Sequence, residues 1–302
     1  MQCGTNTIGT MLSHHPRVRL NRCTEDKPKC DLDHFMAGKE SVWEGHGLTH
    51  DFVLDPHNFV AKYAQKLQLT EEYDYVKLLD NTSAVGLGSL TIDKSPSYLN
   101  TDIFPNVASR AKQMLPNAKI VVTLCNPVER MYSEFHHTLH YSKDIFESFF
   151  TNHNVPIPKN FTELVHYMRF SADICNGNPV FCYELRRDML HTGLFHKSVK
   201  TWRNAFGAEN VLVLNMDESS YDKIKKITAL MGDYLPENEY PWEILNNVTK
   251  SFSNDFYGGR SLAFKEHQMA SDWLFGFFYR ANIALSKEID AEWPLRWNQK
   301  PK

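Results

Sequence analysis

Short apolar runs alternate with longer segments of helical period along most of the chain. The runs Tyr75 to Leu79, Ser89 to Ile92, Lys119 to Leu124 and Val211 to Leu214 read as strands. Between and after them, Pro56 to Leu67, Phe104 to Leu115, Val128 to His140 and Gly193 to Phe206 carry apolar residues at three- and four-residue spacing and read as helices. Strands that alternate with helices of this length predict an α/β fold built on a parallel sheet. Near the start, Ile8, Met11 and Leu12 form a short helical pattern that ends about His14-His15-Pro16. Near the end, Trp273 to Ile289 is apolar but broken by charged and polar positions, which predicts a packed helix rather than a membrane span.

Ligands of open parallel sheets sit beyond the carboxyl ends of the strands, so the chemistry is expected in the segments that follow them. Lys119 to Ser133, K-I-V-V-T-L-C-N-P-V-E-R-M-Y-S, is a buried-type strand that runs through a Pro-marked turn into a helix. Arg130 and Ser133, three residues apart, share a face of that helix, and a guanidinium beside a hydroxyl suits the oxygens of a phosphate. The chain opens on Cys3-Gly4-Thr5-Asn6-Thr7 ahead of its first helical pattern. Glycine lets a backbone approach a ligand, threonine adds hydroxyls, and the free amides of a helix start attract anions. No Gly-Lys-Ser/Thr follows, which excludes the nucleotide triphosphatase loop and with it a P-loop kinase.

The two segments together resemble the sulfotransferases that use 3'-phosphoadenosine 5'-phosphosulfate (PAPS), and within them the membrane-anchored carbohydrate branch of the Golgi. Ile92-Asp93-Lys94-Ser95-Pro96-Ser97-Tyr98-Leu99 is similar to that family's Glu-Lys-Ser/Thr-Pro-x-Tyr segment. Gly193-Leu194-Phe195, followed by Trp202, Phe206, Val211 to Leu214 and Asp217-Glu218, resembles its G-L-Y…W…F…V-L-V-L…E block, and Phe278-Tyr279-Arg280 its terminal F-Y-R helix. Five segments in family order implicate nearly the whole chain. The resemblance implies one sulfotransferase domain over residues 1–302, a P-loop-like parallel sheet flanked by helices. Only Met1 and Gln2 precede the opening loop, so the first strand is expected to be truncated, and the Golgi anchor of the family is expected upstream of a fragment.

The resemblance also implies roles. Gln2, Cys3, Gly4, Thr5, Asn6 and Thr7 would cradle the 5'-phosphosulfate, and Arg130 and Ser133 would hold the 3'-phosphate. Arg260, in Gly258-Gly259-Arg260, would lie in a loop over the adenine and 3'-phosphate. The family's acidic or His base falls within Lys29 to Phe35, where Asp31, Asp33 and His34 all qualify. Lys94 would face the transferring group or the acceptor, with Asp93 as an alternative base. Gln2 stands where relatives usually have Lys, and Cys125 where many have Arg. A neutral donor at position 2 implies slower turnover. Two functions follow: sulfuryl transfer from PAPS to a glycan or glycosaminoglycan hydroxyl, with the chondroitin N-acetylgalactosamine 4-sulfate 6-O-sulfotransferases as the branch suggested, or binding of PAPS or glycan without turnover.

Composition agrees and narrows the setting. The chain has 302 residues, 42% hydrophobic, enough for one sizeable core. A net charge of -3 provides no global attraction to nucleic acid or polyanions, so an acidic glycan would need a local basic patch. Arg186, Arg187, Lys197, Lys200 and Arg203 are its candidates, and a solvated helix face is the plainer reading of the same residues. Six cysteines and sequons at Asn81, Asn160 and Asn247 suit an oxidising lumen and a glycoprotein. Cys175 and Cys182 flank the turn-rich Asn176-Gly177-Asn178-Pro179 and are expected to pair, while Cys23 and Cys30 have the same spacing. No Cys or His spacing matches a zinc site, so no metal is expected.

Overall fold

The structure is a computed structural model that describes residues 8–9, 11–12, 14–20, 90–92, 96–141, 143–169, 178–245 and 267–299. In chain order these contain β1 (Val18–Leu20), β2 (Leu90–Ile92), α1 (Val107–Met114), β3 (Ile120–Leu124), α2 (Pro127–Tyr141), α3 (Lys143–Asn152) and α4 (Phe161–Arg169). There follow α5 (Pro179–Met189), α6 (Phe195–Phe206), β4 (Val211–Asn215), α7 (Ser220–Met231), α8 (Gln268–Ile289) and α9 (Trp293–Arg296). β1 and β2 pair in parallel with Val18 opposite Leu90 and Leu20 opposite Ile92, and β3 neighbours β4. The fold is α/β, helix-dominated with a small parallel sheet.

The expected strands at 89–92, 119–124 and 211–214 and the helices at 104–115, 128–140, 193–206 and 273–289 are present within a few residues. The strand expected at 75–79 and the helix at 56–67 lie outside the described residues. Helix ends follow local chemistry. Pro127 opens α2 where its missing N–H costs nothing, and the Asn126 side chain accepts from the Val128 N–H at 3.0 Å. Asn178 caps α5 by accepting from the Phe181 N–H, again ahead of a proline, and Ser219 caps α7 through the Asp222 N–H. Asp290 ends α8 in the left-handed conformation.

The chain divides into two compact units. The first comprises 124–200 and 254–302, the second 2–123 and 201–253. The core of the first is aromatic: Phe135, Phe150, Phe161, Phe181 and Phe278 are each fully buried. Phe146 and Phe150, four apart on α3, meet at 4.9 Å between ring centroids, and Phe149 stacks on Phe181 at 5.1 Å. In the second unit the opening helical residues Ile8, Met11 and Leu12 are buried with Val18, Leu214, Ile224, Leu235 and Tyr240. The Tyr240 hydroxyl donates to the Met11 carbonyl at 2.8 Å, and the Arg17 guanidinium grips Glu239. These bonds tie the helix behind the opening loop to the segment after α7. Burial drives the Tyr240 phenol well above its usual pKa, so it stays a donor at any physiological pH.

Gly193 is the tightest joint of the first unit. A Cβ there would lie 2.7 Å from Phe278 Cε1, 2.9 Å from its Cζ and 3.2 Å from Pro127 Cβ. Phe278 has no exposure and cannot yield without disturbing the aromatic core. Gly193→Ala should therefore cost about 1–3 kcal/mol by overpacking. A denaturant-unfolding midpoint that did not move would contradict this packing.

Candidate functional site

The strand β3 delivers the chain to Cys125 and Asn126, and α2 starts at once. Arg130 lies one turn into that helix, in the first unit, and is 6% exposed. Three environments share its guanidinium. Nη1 pairs with Glu134 one turn further along, Nη2 donates to the Met189 carbonyl at 2.6 Å, and Nε is buried with no hydrogen-bond partner. The bond to Met189 satisfies the end of α5 and sets the orientation of the fork. Burial works against the charge on Glu134, but the positive charge beside it, the Arg130 guanidinium first, outweighs that and holds its carboxyl below the ordinary range.

A buried donor without an acceptor is uncommon and calls for an explanation, and an anionic oxygen supplies one. Ser133 is partly buried on the same helix, so the pair that helical spacing placed together remains on one face. Sequence reasoning missed Glu134 and Met189. Glu134 was visible as an i,i+4 partner of Arg130, whereas the Met189 carbonyl is 59 residues away and left no signal.

Beyond Ser133 the helix carries His136, packed at 4.4 Å between ring centroids on Tyr132. Burial first, and the neighbouring His267 second, push its pKa below the usual value and keep it neutral. His267 in turn shares a 2.7 Å hydrogen bond with Thr162. His136 thus packs within the first unit.

The other expected site residues fall differently. Gln2, Cys3, Gly4, Thr5, Asn6, Thr7, Asp31, Asp33, His34, Asp93, Lys94 and Arg260 lie outside the described residues. So do Cys23, Cys30 and Cys175. Cys125 and Cys182 are both disulfide-bonded, and no free cysteine occurs among the described residues. No group of three metal-ligating side chains occurs among them either. Of the basic candidates, Arg186 spends Nε and Nη2 on the Met168 carbonyl, at 3.0 and 2.8 Å, and Arg187 pairs with Asp188. Arg186 is thereby anchored in the fold and Arg187 paired with its neighbour, so this pair forms neither an open basic patch nor a purely solvated face.

Two segments of the second unit that the sequence singled out also meet. The Trp202 indole donates to the Tyr98 carbonyl at 3.1 Å, joining α6 to the turn Pro96–Leu99 that follows Asp93 and Lys94. Trp202 stacks on Phe206, over which Lys112 sits at 5.1 Å.

Residues 1–180 match the model of the Sulfotransferase family. The chain belongs to the sulfotransferase family. Its fold is similar to that of a sulfotransferase from Alicyclobacillus acidocaldarius, with a TM-score of 0.51 and 19% identity over 99% of this chain and 95% of that one. Among curated sulfotransferases it is 25% identical to the bifunctional heparan sulfate N-deacetylase/N-sulfotransferase 1 of Caenorhabditis elegans over 51% of this chain and 16% of that protein. It is 28% identical to the membrane-associated sulfotransferase kil1 of Dictyostelium discoideum over 55% of this chain and 26% of that protein. The matched part is thus 16% and 26% of these two relatives. No helix among the described residues is long and apolar enough to cross a membrane.

Arg130→Ala tests the buried fork. It removes the charge beside Glu134 and strands the Met189 carbonyl, so a loss of about 2–4 kcal/mol is expected, less than for a fully buried pair because the Glu134 side chain is 30% exposed. A thermal melt unchanged from wild type would show that the guanidinium is not a structural joint.

Proposed function

We propose that residues 1–302 form one sulfotransferase domain that transfers a sulfuryl group from PAPS to a glycan or glycosaminoglycan acceptor. Family membership supports the reaction class, and the names of the heparan sulfate relatives support the acceptor class. The observation that carries the donor assignment is the buried Arg130 Nε without an acceptor on the helix that follows β3. A 3'-phosphate oxygen fits that donor, with Ser133 one turn away.

The donor supplies an activated sulfuryl group, and the chain's residues must do the rest. Arg130 and Ser133 hold the 3'-phosphate, and the amides and hydroxyls of Gly4, Thr5, Asn6 and Thr7 hold the 5' end, with Gln2 donating one hydrogen bond beside them. Arg260 covers the nucleotide. One of Asp31, Asp33, His34 or Asp93 takes the acceptor proton, and Lys94 orients the acceptor. Positioning and electrostatics of this kind account for most of the catalysis in the analogous phosphoryl transfers. We assign the domain to the Golgi lumen, on a membrane-anchored and glycosylated protein with a Cys175–Cys182 disulfide. No nucleic acid takes part. The acceptor position stays open between the chondroitin 6-O branch that the sequence suggested and the heparan N-sulfotransferase class of the relatives.

Transfer of radiolabelled sulfate from PAPS onto desulfated chondroitin and heparan tests the reading, and label on one of them is expected. Gln2→Lys should raise kcat by about tenfold or more, because a cation replaces a neutral donor where charge develops on the leaving oxygen. Absence of label on either glycan, with adenosine 3',5'-bisphosphate still bound, would favour the second reading, a weakened protein that binds without turnover.

A further inference from the structure

β3 ends on Val122, Thr123 and Leu124, all of them buried. Thr123 is the odd member. Its side chain is 7% exposed, and its hydroxyl oxygen is buried with no hydrogen-bond partner among the described residues. Valine has nearly the same shape, suits a strand as well and leaves no polar atom stranded, so packing alone would select it here. A hydroxyl kept at such a position calls for an acceptor that the described residues do not supply.

The pleat of the strand says which side the hydroxyl faces. Residues two apart share a face, so Thr123 lies on the side of Val121. Val121 packs, with Leu212 of β4, against the cluster that holds Ile8, Met11, Leu12 and Leu214. Ile8 is the residue that follows the opening loop, Cys3 to Thr7. Thr123 stands one pleat further toward the carboxyl end of β3, the end at which open sheets take their ligands. A buried water is a poor occupant, since it needs two to four polar partners and the side chains of Val121, Leu212, Leu214 and Ile8 are apolar. All of these residues belong to the second unit.

We propose that the Thr123 hydroxyl donates a hydrogen bond to the 5'-phosphate of the bound nucleotide. The inference rests on the proposed function, which gives the 5' end to Gly4, Thr5, Asn6 and Thr7. It adds a binding residue from the sheet to those of the loop. A hydroxyl suits the place because it rotates to follow an oxygen and puts no charge into a buried strand. Its bond to an ionised oxygen is of the charge-assisted kind, stronger than one between neutral groups.

Thr123→Val should melt no lower than wild type without ligand, since it removes a hydroxyl that the fold leaves unsatisfied. Its affinity for adenosine 3',5'-bisphosphate and for adenosine 5'-monophosphate should fall by the same factor, about tenfold or more, because both carry the 5'-phosphate. Thr123→Ser, which keeps the hydroxyl, should bind as wild type does. Unchanged affinity in Thr123→Val, a loss confined to the bisphosphate, or a lower melt without ligand would each overturn this role and leave that of Arg130 standing. A wild type that binds neither nucleotide would overturn both.

Discussion

A buried guanidinium must find acceptors, and the way Arg130 finds them organises the first unit around it. Removing a cation from water costs several kcal/mol unless it is paired and hydrogen-bonded. Arg130 meets that demand with Glu134 on its own helix and the Met189 carbonyl at the end of α5. The start of α2 meets a second constraint where Gly193, just beyond α5, admits the Phe278 ring of α8 beside Pro127. Rotation of α2 would break the first contact and collide at the second. The helix that follows β3 is therefore held by polar and steric constraints at once, and one buried donor, Nε, is left over. Such rigidity suits a group that must hold an anion without rearranging.

The sequence segments that mark the family turn out to be joints between elements. Pro127, Gly193 and Phe278 come from three of them and converge on one contact. Trp202 and Tyr98 come from two and share a hydrogen bond, and Met11, just behind the opening loop, takes one from Tyr240. Each joint holds a segment adjoining one to which the resemblance gives a role in binding or transfer. Packing explains why these residue types stand there even before any ligand is considered. Glycine at 193 is required by the Phe278 ring, and tryptophan at 202 by a carbonyl that needs a donor.

Legibility in the sequence followed the range of the interactions. β3 and β4 were readable because each is an apolar run bounded by turn residues, and α2 because its period is long and regular. β1 has only three residues, too few for an alternation to register, and its pairing with β2 spans 72 positions. α3 carries Phe146, Phe149 and Phe150 at the i, i+3 and i+4 spacing of a helix face, so it too was legible although it is absent from the elements expected above. The common face of Arg130 and Ser133 followed from helical spacing alone. The depth of Arg130 did not, because its burial depends on α5 and its carbonyl partner on a helix end 59 residues away.

What the spare donor of Arg130 binds decides whether this helix holds a 3'-phosphate or is a structural joint alone. Titration of the chain with adenosine 3',5'-bisphosphate and with adenosine 5'-monophosphate measures this directly, since the two differ only in the 3'-phosphate. Binding of the bisphosphate at least about tenfold tighter, the effect of one charge-assisted contact, is the predicted result. Equal affinity for the two nucleotides, or no binding of either, would contradict it.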